Sequence, residues 1–197
     1  MKTDTRNKMV VGAMDLIRRR GVNATSVREV VRHTDTPRGS IKHHFPNGKL
    51  QLVTEAVTLA GQEVTLPLRQ LMNEQGSLKG LNLFIGFWRK ILESSNFEAG
   101  CPVLAVAVEQ YISEDGNPHP EAEQQLLVMA DTIFKEWQQI IQTSLQKDGI
   151  SQIRASRLAN LIVSSIEGTV AMCRAARSTT ALDDVQAELE IVIKGCL

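Results

Sequence analysis

Several things are scarce in this 197-residue chain. It has three cysteines, an odd number and too few for a disulfide framework, which points to a reducing, cytoplasmic setting. Only 4% of its residues are aromatic and six are proline, a composition that favours helix over strand. No apolar run approaches the roughly 18–20 residues of a membrane span. The stretch from Lys2 to Lys8 is polar and charged and lacks the apolar centre of a signal peptide. There is no glycine-rich phosphate loop, no G-x-S-x-G, no C-x-x-C and no His/Glu metal spacing, so no enzyme, cofactor or metal centre is expected. His43 and His44 are adjacent and cannot chelate from one helix face, and His119 stands between two prolines. Net charge is also missing, since 22 basic residues balance 22 acidic ones. Taken alone, that balance argues against nucleic acid.

The charge that is present is unevenly placed. Residues 1–52 hold eleven basic and four acidic side chains, a net +7, and the rest of the chain carries −7. A basic head on an acidic body suggests a polyanion partner for the head, although a solvated face with chance clustering gives the same arithmetic.

Helical periodicity runs throughout. Met9, Val10, Ala13, Met14 and Ile17 form one apolar stripe, and Gly21 follows the cations Arg18–Arg20 as a C-terminal stop. Ser26-Val27-Arg28-Glu29 reads as a capping box opening a second helix to about His33. Thr36 reads as the next N-cap, with Pro37 at the first helical position of a short third helix ending near His44. A fourth helix opens near Lys49. Leu66-Pro67, Gln75-Gly76-Ser77, Ser94-Ser95-Asn96 and Asp115-Gly116-Asn117-Pro118 punctuate the remainder as loops or kinks. Between them fall helices at about 78–92, 103–112, 120–146, 151–176 and 183–193. The fold class is all-α: an N-terminal three-helix helix-turn-helix domain over 1–52, then a helical ligand-binding and dimerisation domain over 53–197.

Two short helices joined by a tight turn inside a basic segment make two signals coincide. In a helix-turn-helix the second helix offers its N-terminal side chains to base edges in the major groove. Arg38 can fork onto guanine O6 and N7, and Gly39 lets the backbone approach DNA closely. Ser40, Lys42, His43 and His44 supply donors, with Thr36 and Pro37 opening the helix. Thr25, Ser26 and Arg28 would grip the backbone at the start of the preceding helix, and Lys49 would clamp a further phosphate.

The run Gly21-Val22-Asn23-Ala24-Thr25-Ser26-Val27-Arg28, followed by Thr36-Pro37-Arg38-Gly39-Ser40-Ile41-Lys42-His43-His44-Phe45-Pro46, resembles the DNA-binding domain of the TetR family of bacterial repressors. The family usually has Tyr where this chain has Lys42, which exchanges a phosphate-contacting hydroxyl for a positive charge. Pro46-Asn47-Gly48-Lys49, and Gly100-Cys101-Pro102-Val103 ahead of an Ala/Val-rich helix ending at Glu109, resemble the LmrA/YxaF-type branch. Described members of that branch often govern efflux or detoxification genes. The resemblance implies a homodimer on a palindromic double-stranded DNA operator. The last two long helices would pair with their copies, and a small-molecule effector in the middle helices would release the DNA.

The body offers candidates for both tasks. In the helix after Pro120, Leu126, Ile133 and Ile140 lie on one apolar stripe and Leu127, Phe134 and Ile141 on another. In the next, Leu158, Ile162 and Ile166 accompany Gly168 at a close approach. These stripes serve either a dimer or an ordinary core. Phe84, Phe87, Trp88, Tyr111, Met129, Trp137 and Met172 would suit an apolar or aromatic ligand if gathered, and are otherwise core. Glu109 and Glu167 would orient such a ligand or form buried hydrogen bonds. Cys101, at a helix N-terminus, is either a redox or electrophile sensor or a small buried residue.

Overall fold

The computed structural model of the chain describes residues 5–37 and 39–197. Eight helices make up the regular structure of those residues: α1 Thr5–Arg20, α2 Val27–Thr34, α3 Ser40–His44, α4 Gly48–Ser94, α5 Pro102–Val108, α6 Pro120–Lys147, α7 Gln152–Ala176 and α8 Thr180–Lys194. The expected all-α class is what the backbone adopts. Two compact units divide the chain. One takes residues 1–62 and 101–131, the other 63–100 and 132–197, so α4 and α6 each contribute to both.

In the first unit α1 packs on α2 and α5. The α1 stripe Met9, Ala13, Met14 and Ile17 is buried with Val30 and Val31 of α2, Ile41 of α3 and Val53 of α4. At Gly12 the helices approach so closely that an added Cβ would stand 2.1 Å from Thr34 Cγ2. Arg6 ties α1 to α4 through Glu55 at 2.6 Å and covers the Phe45 ring at 5.2 Å.

Ser26 caps α2 as its sequence suggests, its Oγ accepting from the Glu29 N–H at 3.1 Å. The expected start of the third helix is not found. Asp35 closes α2 in the left-handed region (φ 50°), and the Thr36 hydroxyl is engaged by Thr34 Oγ1 at 2.9 Å. A side chain occupied in the turn is not capping the next helix, and α3 begins three residues beyond Pro37, at Ser40.

Two further boundaries differ from expectation. Pro67 lies inside α4 rather than in a loop, whereas Gly76 (φ 76°, ψ 178°) is a true break in that helix. The helix expected to reach 112 ends at Val108, and Glu109 is extended (φ −103°, ψ 138°). Beyond it the chain turns at Gly116 and makes a single antiparallel bridge, Ile112 to Pro118.

The second unit is a helical core in which α7 packs on α8. Trp137 of α6 donates to Thr65 Oγ1 at 2.9 Å, and Asp148 accepts the Ser77 N–H at 2.8 Å, capping the α4 segment that restarts after Gly76. Asn82 reaches Glu190 at 2.6 Å. Among the described residues no helix is long and apolar enough to cross a membrane.

Candidate nucleic-acid interface and effector cavity

The candidate recognition surface comprises the α2–α3 turn and the faces of those helices that the core does not use. Arg28, Pro37, Gly39, Lys42 and His43 are exposed, and Ser26, Thr36 and His44 are half-buried. An added Cβ at Gly39 would meet nothing within 4 Å, so no internal contact requires glycine there and the space stays open to a partner. The His43 and His44 rings stand edge to face at 5.2 Å. Arg38 lies outside the described residues, as does the side chain of Ser40.

Two expected DNA contacts are corrected. Thr25 is 1% exposed, and its hydroxyl donates to the Gly21 carbonyl at 2.8 Å, locking the α1–α2 turn. Lys49 is 6% exposed and turned inward, its ammonium donating to the Ile112 carbonyl at 2.7 Å and lying 5.3 Å from the centre of the Tyr111 ring. Burial lowers the Lys49 pKa, and the charges of Glu114 and Glu109 partly oppose the shift. Lys49 therefore holds the loop after α5 instead of a phosphate.

That loop explains residues the sequence reading placed elsewhere. Glu109 accepts the Asn23 N–H at 3.2 Å, and Asn23 in turn donates to the Gln110 carbonyl at 2.7 Å and accepts from the Ile112 N–H at 3.0 Å. Gly21 (φ 82°) makes room for this, since an added Cβ would fall 2.0 Å from Glu109 Oε1. Glu114 accepts the Val27 N–H at 2.7 Å, setting a carboxylate on the positive end of α2. Glu109 is thus a clamp on the α1–α2 turn rather than a ligand contact. The clamp was missed because its partners are 86 and 87 residues apart in sequence. Tyr111, buried beneath it, has its phenol pKa pushed up to about 12 by burial.

The ligand candidates divide between the units. Phe84, Trp88, Trp137 and Glu167 come together in the second unit around a cavity that Leu68, Ile141, Val163 and Ile166 complete. Its volume is about 10 Å³, room for about one water. Phe87 is half-buried beside it, its ring 6.0 Å from Phe84 and 6.1 Å from Trp88. Cys101, Glu109, Tyr111 and Met129 belong to the first unit. Cys101 is a 5% exposed core residue at the start of α5, and the Met129 sulfur accepts from the Thr58 hydroxyl. Met172 is 61% exposed on α7.

Of the residues expected to meet a second copy, Leu126, Ile140, Leu158, Ile162 and Ile166 are buried within the chain and Ile133 is half-buried. The five buried side chains are core, because a side chain already covered has no area left for a partner. Gly168 is exposed, in line along α7 with exposed Leu161, Ser164 and Met172. Among the described residues no cluster of His, Cys, Asp and Glu could hold a metal ion.

Comparison with known proteins agrees with this geometry. The tetR family of bacterial regulatory proteins matches over residues 10–56, and the C-terminal domain of LmrA/YxaF-like transcriptional regulators over residues 77–188. The chain belongs to the TetR family, in its LmrA/YxaF-like group. An uncharacterized HTH-type transcriptional regulator of Mycobacterium tuberculosis is 38% identical over 184 residues, 93% of this chain and 91% of that protein. The HTH-type transcriptional regulator LmrA of Bacillus subtilis is 25% identical over 180 residues, covering 91% of each. The crystal structure of a TetR transcriptional regulator from Legionella pneumophila shares the fold, with a TM-score of 0.80 at 20% identity over 98% of this chain and 99% of that one. As a TetR-family protein the chain is a DNA-binding transcriptional regulator and not an enzyme. Its match to the family's N-terminal region spans the α2–α3 turn, and the LmrA/YxaF-like match takes in most of the second unit.

Proposed function

We propose that this TetR-family regulator is a homodimeric repressor, released from a palindromic operator by a small, largely apolar or aromatic ligand. The observation that carries the reading is the pairing of two features in one chain. One is a helix-turn-helix with exposed Arg28, Lys42 and His43 and an unfilled Gly39; the other is a small aromatic-lined cavity on α4, α6 and α7. The basic head, residues 1–52, reads the operator, and the acidic remainder, 53–197, binds ligand and dimerises.

The pairing surface is the face of α7 and α8 that the core leaves bare. Leu161, Met172 and Ile191 are 44%, 61% and 63% exposed. Gly168 between them on α7 allows a second helix to come close, and an isologous contact of this kind closes a dimer. Two heads on one dimer read two half-sites about one or more helical turns apart. The ligand acts by preferring the dimer geometry in which the heads do not fit those half-sites.

Fluorescence anisotropy with the DNA upstream of the protein's own gene tests the reading. About ten phosphate contacts per dimer predict a log–log salt slope near −9, from roughly −0.9 per contact. A slope near zero, or equal affinity for unrelated DNA at all salt concentrations, refutes operator binding.

A further inference from the structure

We infer that the basic head carries a site of its own for a small amphiphilic anion, in the open groove between α1 and α2. The site is separate from the effector cavity of the second unit and does not depend on it. The groove has a volume of about 530 Å³, within the roughly 300–1,000 Å³ of small-molecule sites. Val11, Gly12 and Met14 of α1 give it an apolar floor, and His33 and Thr34 of α2 form its other side. Val11 is 42% exposed there, so a ligand laid in the groove gains by covering it. Thr34 Oγ1 meets Thr36 Oγ1 at 2.9 Å, which puts the groove against the turn that leads to Gly39 and Lys42.

The charged groups select the class of ligand. Lys8 and Arg18 line the groove, and among the described residues that line it Asp15 is the single carboxylate. Asp15 is already engaged within the chain. Arg19 Nε donates to its two oxygens at 3.0 and 3.1 Å, and His33 Nε2 lies 3.1 Å from Oδ2. With that carboxylate matched, the excess charge of the lining is positive. A cationic rim over an apolar floor suits a molecule with one carboxylate or phosphate on a flat or aliphatic body. A cation would meet Lys8 and Arg18, and a neutral hydrocarbon would leave both unanswered. The phosphates of DNA would answer the charge but leave the floor uncovered, so the groove favours a small organic anion over the nucleic-acid backbone.

Calorimetry on the full chain with two probes of similar shape tests this. They are 2-naphthoate, ionised at neutral pH, and 2-naphthalenemethanol, which is neutral. The anion should bind about threefold or more tightly than the alcohol, the size expected of exposed charge pairs. Lys8→Glu reverses a charge at an exposed position that the core does not use, and should bring that preference to about one or below. Val11→Ser removes part of the apolar floor, and should weaken both probes several-fold while keeping the preference for the anion. These two responses differ in kind, so together they place the probe in the groove. Equal binding of the two probes, no binding of 2-naphthoate at millimolar concentration, or a preference that survives Lys8→Glu overturns the inference. Anisotropy with operator DNA supplies the remaining outcome. If neither probe binds and Lys8→Gln makes the salt slope shallower by about one contact, the groove faces phosphates and the inference falls.

Discussion

Lys49 shows how one side chain is decided by its surroundings. A lysine opening a helix in a basic segment fits a phosphate clamp on charge alone, yet its ammonium is spent on the Ile112 carbonyl and the Tyr111 ring face. Lys49→Ala should therefore lower unfolding free energy by about 1–3 kcal/mol, the usual cost of orphaning a partner of a buried charged donor. The salt slope of DNA binding should stay unchanged, because no phosphate contact is removed; a slope shallower by about one contact would return Lys49 to the interface. Tyr111 gives a cleaner reading of the same place, as it is the chain's single tyrosine. Its folded pKa, about 12 against an ordinary 10, means the folded state keeps a proton that the unfolded chain loses. The stability this confers is complete below pH 10 and is lost as pH rises through about 12. Ultraviolet titration of tyrosinate should show a midpoint well above 10 in the native protein, falling to the ordinary value in denaturant. A native midpoint near 10 would contradict the burial of this ring.

At the scale of elements, the loop after α5 clamps the turn into α2, and the clamp is strict about geometry. Gly21→Ala demands a left-handed backbone from a Cβ residue and pushes that Cβ into the Glu109 carboxylate. A loss of about 1–3 kcal/mol is expected in chemical denaturation. Adding Glu109→Ala removes the steric part and leaves the conformational part, so the double variant should be destabilised by less than the sum of the two single changes; strict additivity would show that the two residues do not meet. Much of this architecture was legible beforehand for a local reason. Caps, helix stops and apolar stripes are written within a few residues of each other, which is why Ser26, the break at Gly76 and the stripe of α1 were found where expected. Pairings across 86 or 87 residues leave no periodic trace, so the clamp on Asn23 and Val27 was invisible and Glu109 and Glu114 had no visible partners. The expected N-cap at Thr36 failed for a related reason, since a neighbouring hydroxyl, that of Thr34, competed for it. Apolar stripes show that a face is covered without showing by what, and of the dimer candidates Leu126, Ile140, Leu158, Ile162 and Ile166 proved to be core.

For the whole molecule, the balanced charge of the chain is the sum of a +7 head and a −7 body, and the proposed palindrome requires two heads to be joined. The joint is testable at Gly168 because the fold of a single chain places nothing within 4 Å of a Cβ there. Gly168→Glu therefore costs one copy only the modest loss of replacing an exposed glycine in a helix, while setting like charges against each other wherever two copies pack along α7. Sedimentation of the variant should show a folded monomer with helical circular dichroism close to wild type. Losing the second head also loses the effective concentration it supplies, so operator affinity should fall by about 10²–10⁴ at fixed salt. The salt slope should fall to about half, since one head makes half the phosphate contacts. A variant that stays dimeric and binds DNA as before would move the interface off this face of α7. A variant that becomes monomeric yet keeps wild-type affinity would show that a single head suffices, and would remove the palindrome from the proposed mechanism.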